Sequence, residues 1–159
     1  MLSELIINIP SNGLLLIRKN VLEKLYGQRQ TGMEPESGGI LLGSYRGEHF
    51  EIVDATLPGI QDIRRPREFI RNCNIHQKQA TKAWRESNGS VTYIGEWHTH
   101  PISSPDPSYI DLHEWINKLP NRNMILLIQG TKYICACMQI VEHKSKKIIN
   151  LGLFVSCQT

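Results

Sequence analysis

Apolar and polar positions recur along this chain in short segments of two kinds. Gly13–Ile17 (GLLLI) is an unbroken apolar run of strand length. From Lys19 to about Gln30, Val21, Leu22 and Leu25 recur at helical spacing, and the polar loop QTGMEPES follows. Gly38–Tyr45 and His49–Leu57 read as strands, with Arg46-Gly47-Glu48 as the hairpin turn between them. Leu57 to Pro66 is loop-like, and Glu68-Phe69-Ile70 reads as a short strand. Ile75 to Glu86 offers Ile75, Ala80, Ala83 and Trp84 as the buried stripe of a helix, which Ser87-Asn88-Gly89 stops. Val91–Trp97 is a strand that ends at two histidines. A helix is predicted from Pro107 or Ser108 to about Leu119. Strands are predicted at Met124–Gln129, Tyr133–Ile140 and Ile148–Val155. Strands alternating with two or three helices predict an α/β (α+β) sandwich, a sheet flanked by helices.

No repeat, low-complexity tract or linker interrupts this pattern, so residues 1–159 are expected to form a single domain large enough for a real core. The apolar share of 40% and charged share of 21% are those of a soluble globular protein. No apolar run approaches the ~20 residues of a membrane span. MLSELIINIP lacks the basic start of a signal peptide. A cytoplasmic chain is expected. Cys73, Cys135, Cys137 and Cys157 have neither the density nor the spacing of a disulfide framework. Cys135 and Cys137, two apart in a strand, should share one face as buried thiols, and Cys157 should be exposed near the terminus.

The net charge of +3 says little about partners. One local bias stands out, with Arg64, Arg65, Arg67 and Arg71 close together in sequence. The cluster reads as a solvated loop or as a grip for an acidic protein surface. Nucleic acid would call for a broader basic face with aromatic stacking residues, and none is evident.

The chemistry concentrates in Gly95–Asp111, GEWHTHPISSPDPSYID. His98 and His100, two apart at a strand exit, project to one face and can reach one ion, while Thr99 points the other way. Pro101 ends strand pairing. Asp111 returns from a helix with Ser108 on the same helical face. Two imidazoles and a carboxylate suit catalytic zinc, which keeps its fourth position open. Ser108 and Asp111 also read as a capping box, with Asp106 as cap and Pro107 as first helical residue an alternative. Upstream, Glu36 in ESGGILLG is a candidate general base, since the glycines behind it permit close backbone approach. Glu34, before Pro35, reads as solvated. Glu96 reads as a salt-bridge partner, with orientation of a ligand imidazole as an alternative. His49, His76, His113 and His143 have no such company and read as surface or structural groups.

Taken together, Glu36-Ser-Gly-Gly, His98-Thr-His100-Pro and Ser108-x-x-Asp111 resemble the full signature of the JAMM (MPN-domain) zinc metalloproteases. The resemblance implies a cytidine-deaminase-like sandwich with a mixed sheet flanked by helices. It implies one zinc ion per chain on His98, His100 and Asp111. Glu36 would activate the hydrolytic water, and Ser108 would bond the oxyanion. The family cuts isopeptide or peptide bonds after the tail of ubiquitin or a ubiquitin-like protein. GEWHTHP and PDPSYID are more narrowly similar to bacterial members of antiphage operons, found beside a cyclic-oligonucleotide synthase and an E1–E2-like conjugating protein. Those peptidases release the synthase from the targets to which its C-terminus is joined. Arg64, Arg65 and Arg67 would then contact an acidic patch of the substrate. The rival readings are a catalytically silent MPN-type binding module and a DNA-repair-associated relative of the fold.

Overall fold

The computed structural model describes residues 3–156. Its elements begin with β1 (Leu5–Ile9), β2 (Gly13–Ile17), α1 (Lys19–Gly27), β3 (Gly38–Arg46) and β4 (His49–Ala55). A small ribbon, β5 (Ile63–Arg65) and β6 (Glu68–Ile70), leads to α2 (Ile75–Glu86) and β7 (Thr92–Thr99). Then come α3 (Tyr109–Lys118), β8 (Met124–Gln129), β9 (Tyr133–Glu142) and β10 (Ser145–Val155).

Eight strands form one sheet in the order β1-β2-β4-β3-β7-β8-β9-β10. β2 with β4 and β7 with β8 are parallel, and the remaining pairs are antiparallel. A parallel pair needs a crossover, and α3 lies in the connection from β7 to β8.

Alternate residues divide the sheet between two layers. On one face Val21, Leu22 and Leu25 of α1 pack with Leu41, Ile52, Ile94, Ile125 and Leu127. On the other, Ala80 of α2 meets Ile40 and Leu42. Trp115 and Leu119 belong to that second layer too, over Met124, Leu126, Ile128, Cys135 and Cys137. With a layer on each face, β8 is buried along its whole length, so it reads as an apolar run rather than an alternation. The expected mixed sheet flanked by helices is what the chain forms.

Several boundaries differ from the sequence reading. β1 was not anticipated, although Ile7 and Ile9 alternate inward against the main core. α1 stops at Gly27, three residues early, and Gln30 leaves the helix for a buried polar contact of its own. β5 has no apolar alternation and is exposed throughout, held by pairing with β6. β7 continues past Trp97 to Thr99, β9 reaches Glu142, and β10 starts at Ser145. Cys135 and Cys137 are buried free thiols with Sγ atoms 3.8 Å apart, and Cys157 lies outside the described residues. No helix among the described residues is long and apolar enough to cross a membrane.

Candidate metal centre

β7 lies inside the sheet between β3 and β8, so its C-terminal end is held from both sides. His98 pairs with Gly38 on β3 and with Ile128 on β8. The His100 N–H still donates to Gln129 O, at 3.0 Å, one residue beyond the strand. The pleat therefore persists through His100, and both imidazoles project to the α3 face. Their Nε2 atoms are 3.1 Å apart, and the His98 ring lies against Trp115.

Asp111 arrives from the first turn of α3. Ser108, not Asp106, is the cap: its Oγ accepts from Asp111 N at 3.0 Å, and Asp111 Oδ2 accepts from Ser108 N at 2.9 Å. The same Oδ2 lies 3.3 Å from His98 Nε2 and 3.1 Å from His100 Nε2. Burial opposes the Asp111 charge, yet hydrogen bonds from His100 and His98 hold its carboxyl well below the usual carboxylate range.

This triangle suits a metal ion on two counts. Two imidazole nitrogens 3.1 Å apart cannot both carry a hydrogen toward each other, so at least one lone pair faces inward beside the Asp111 carboxylate, and a cation between them would satisfy all three groups. With metal–ligand bonds of about 2.0 Å, a tetrahedron has edges of about 3.3 Å. The observed edges are 3.1, 3.1 and 3.3 Å. His98, His100 and Asp111 could hold an ion with one side open.

Glu36 is buried, and donor atoms of Glu36, His98 and His100 all lie within 4.8 Å of one another. Desolvation pushes its carboxyl up to about 7, the nearby histidines pull it down, and Asp111 and Glu68 push the same way as burial. A carboxylate poised there can take up a proton and release it again near neutrality. The backbone around it is fixed at several points. Glu36 N donates to Arg65 O at 2.7 Å, and Arg64 Nε donates to Glu36 O at 3.0 Å. Gly38 is needed for close approach: a Cβ there would collide with the Phe69 ring and sit 2.8 Å from Trp97 O.

The other candidates fall as follows. Glu34 is exposed and turns its carboxylate back onto Thr31 Oγ1 and Gly32 N. Arg64, besides its bond to Glu36 O, donates to Ser37 Oγ at 2.7 Å. Arg65 pairs with Glu68 on the ribbon, and Arg67 is exposed. Glu96 is salt-bridged to Arg71 at 2.8 Å and accepts from Tyr93 Oη at 2.6 Å. His76 is buried between Thr56 Oγ1 and Asp62 Oδ2, at 2.5 and 2.6 Å. His113 faces outward and bonds Asn117, and His49 accepts from Leu14 N. Sequence reasoning missed Gln30, Ser37 and Arg64 as supports of Glu36. A glutamine just past a helix and an arginine in a charged loop carry no periodic signal that would find them.

Two imidazoles and a carboxylate converge beside a buried acid at the end of an interior strand, the donor set a metal-dependent hydrolase requires. Residues 18–142 match the family of prokaryotic homologues of the JAB domain, and the chain belongs to that family. It is 39% identical over 131 residues to the CD-NTase/cGAS isopeptidase of Vibrio cholerae, covering 81% of this chain and 84% of the relative. With the Escherichia coli protein of that name it shares 36% over 141 residues, 86% of this chain and 90% of the relative. The solution structure of a Desulfitobacterium hafniense protein has the same fold, with a TM-score of 0.58 at 18% identity over 84% of this chain and 88% of that one.

Proposed function

We propose that this chain is a zinc-dependent isopeptidase that releases a cyclic-oligonucleotide synthase joined through its C-terminus to other molecules, as part of antiphage defence. The convergence of His98, His100 and Asp111 at 3.1–3.3 Å beside a buried Glu36 carries the hydrolytic part of this reading. The substrate part rests on relatives named CD-NTase/cGAS isopeptidases. The reaction is placed in the cytoplasm, where a nucleotide-consuming synthase meets its substrates, and in a single domain.

A donor set of two imidazoles and a carboxylate suits zinc, which supplies Lewis acidity toward water and the scissile carbonyl. Glu36 takes a proton from the attacking water and passes it to the departing amine. Its burial excludes competing solvent and keeps its affinity for the proton near the working range. Ser108 Oγ accepts from Asp111 N, which leaves its hydroxyl hydrogen available to the oxyanion. Asp111 stays ionised as a ligand. Arg64 is engaged inward, so contact with an acidic patch of the substrate falls to Arg65 and Arg67 on the exposed ribbon, with Arg64 at its base. Charge reversal at Arg65 and Arg67 that leaves KM unchanged removes that last role.

The decisive experiment is cleavage of a conjugate by the purified protein. Glu36→Gln keeps the size of the side chain but cannot accept the proton. It should retain its metal and bind the conjugate while losing nearly all turnover, as a trap. Glu34→Gln should behave as the parent. Full activity in Glu36→Gln would overturn the reading.

A further inference from the structure

We infer that Thr99, the residue between the two histidines, is a positioning residue for Glu36, acting with Gln30 as a buried clamp between the base-bearing loop and the histidine strand. The inference rests on the reading of Glu36 as the base. Thr99 lies on the opposite pleat from His98 and His100, on the same face as Trp97 and the α1 layer. It therefore reaches neither the convergence point nor a substrate. Any effect of its hydroxyl on turnover must pass through another residue.

The contacts show which one. Thr99 Oγ1 accepts from Ser37 N at 3.0 Å and donates to Gln30 Oε1 at 2.9 Å. Thr99 N donates to Ser37 O at 2.9 Å. The residue after Glu36 is thus fastened on both sides to the residue between the histidines. Gln30 Nε2 completes the clamp by donating to Glu34 O at 3.0 Å and Pro66 O at 2.9 Å. Pro66 sits in the turn between β5 and β6, whose Arg65 and Arg64 hold the Glu36 backbone from the other side.

Gln30, Ser37 and Thr99 are all buried, with 1%, 1% and 0% of their surface exposed. A buried amide or hydroxyl is costly unless bonded, and here each side-chain polar atom of Gln30 and Thr99 is used. A valine would fill the same volume as Thr99 without these bonds. What threonine adds is a fixed offset between the Glu36 loop and the histidine strand. Catalysis is sensitive to such offsets, since a misplacement of about 1 Å costs about 100-fold.

The test combines three measurements on Thr99→Val and Thr99→Ser: metal content, steady-state cleavage of a conjugate, and amide hydrogen exchange at Ser37 in metal-free protein. Thr99→Val should keep its metal and its KM while kcat falls about 10- to 100-fold. Its Ser37 amide should exchange faster. Thr99→Ser should restore kcat to within about threefold and the exchange rate to that of the parent. If Thr99→Val loses activity only in proportion to lost metal, or keeps its kcat, the clamp is refuted. Glu36→Gln in the same assay separates the two ideas: an inactive Glu36→Gln beside a fully active Thr99→Val leaves the base and removes the clamp. Should Thr99→Val fail to fold, Gln30→Met, which frees the loop from Glu34 and Pro66, carries the same comparison. A fall in its kcat at constant KM supports the clamp, and an unchanged kcat refutes it.

Discussion

Two groups in this chain combine histidine with aspartate, one buried and one partly open, and they have opposite economies of hydrogen. Asp62 accepts from Gly59 N, Asn72 N, Cys73 N and His76 Nε2, and His76 Nδ1 meets the Thr56 hydroxyl. Thr56 Oγ1 in turn accepts from Ile40 N, at 2.9 Å. Each acceptor there has its own donor, so the group closes on itself and ties the loops around Asp62 and Cys73 to the sheet. At His98, His100 and Asp111 the three ligand atoms face one point, and with neutral imidazoles there are too few hydrogens to bridge all three contacts. A histidine beside an aspartate is therefore no sign of function by itself. What distinguishes the two groups is whether the hydrogen bonds close without an additional cation.

The largest expected contrast comes from removing one histidine in each group. His98→Ala should lose metal and all measurable cleavage, whereas His76→Ala should keep its metal content and lose stability. Metal analysis of the two purified variants decides this, and loss of metal from His76→Ala would erase the distinction. Next in size is Ser108→Ala. Removal of one oxyanion donor should slow kcat by roughly 10²–10³-fold with metal retained. If unfolding instead shows a loss of ~1 kcal/mol with kcat intact, Ser108 is a helix cap alone.

The smallest effect concerns pH and the closed group. Burial works to raise the Asp62 carboxyl, but hydrogen bonds from Gly59, Cys73, His76 and Asn72 outweigh it and leave it below its ordinary value. A lowered folded value means stability that is complete above the ordinary aspartate value of about 3.9 and lost as pH falls from there through the folded value. Asp62→Asn should unfold more readily at neutral pH, by about 1–3 kcal/mol, and lose less of its remaining stability on acidification. Urea unfolding at neutral and acid pH measures both quantities. An unchanged acid sensitivity in Asp62→Asn would locate it elsewhere.

Much of this contrast was legible in the sequence. The convergence of His98, His100 and Asp111 is written largely in local spacing: a two-residue interval on a strand places His98 and His100 together, and a helical interval places Ser108 beside Asp111. Glu36 was legible through the glycines behind it, because their small size has a steric cause in Phe69 and Trp97. The helices and most strands followed from apolar periodicity. The failures share a different origin. β5 has no apolar pattern, since its order comes from pairing with β6 and from holding the Glu36 loop. Gln30 and Arg64 act through bonds to residues dozens of positions away, and no local pattern encodes those. Arg64 in a run of arginines suggested a surface grip, while its guanidinium in fact bonds the neighbouring backbone and Ser37.

The shared oxygen of Asp111 makes one residue answer to two different tolerances. As a helix cap, its position is forgiving, and glutamate is the commoner partner of serine in such a box. Facing His98 and His100, it is not, because one more methylene would carry the oxygen about 1.5 Å from its place between them. The start of α3 is thus calibrated by reach: aspartate is the acid that completes the helix end and still measures the distance to the histidines. A redesign that treated Asp111 as a capping position, free to be optimised for helix stability, would keep the helix and lose the instrument.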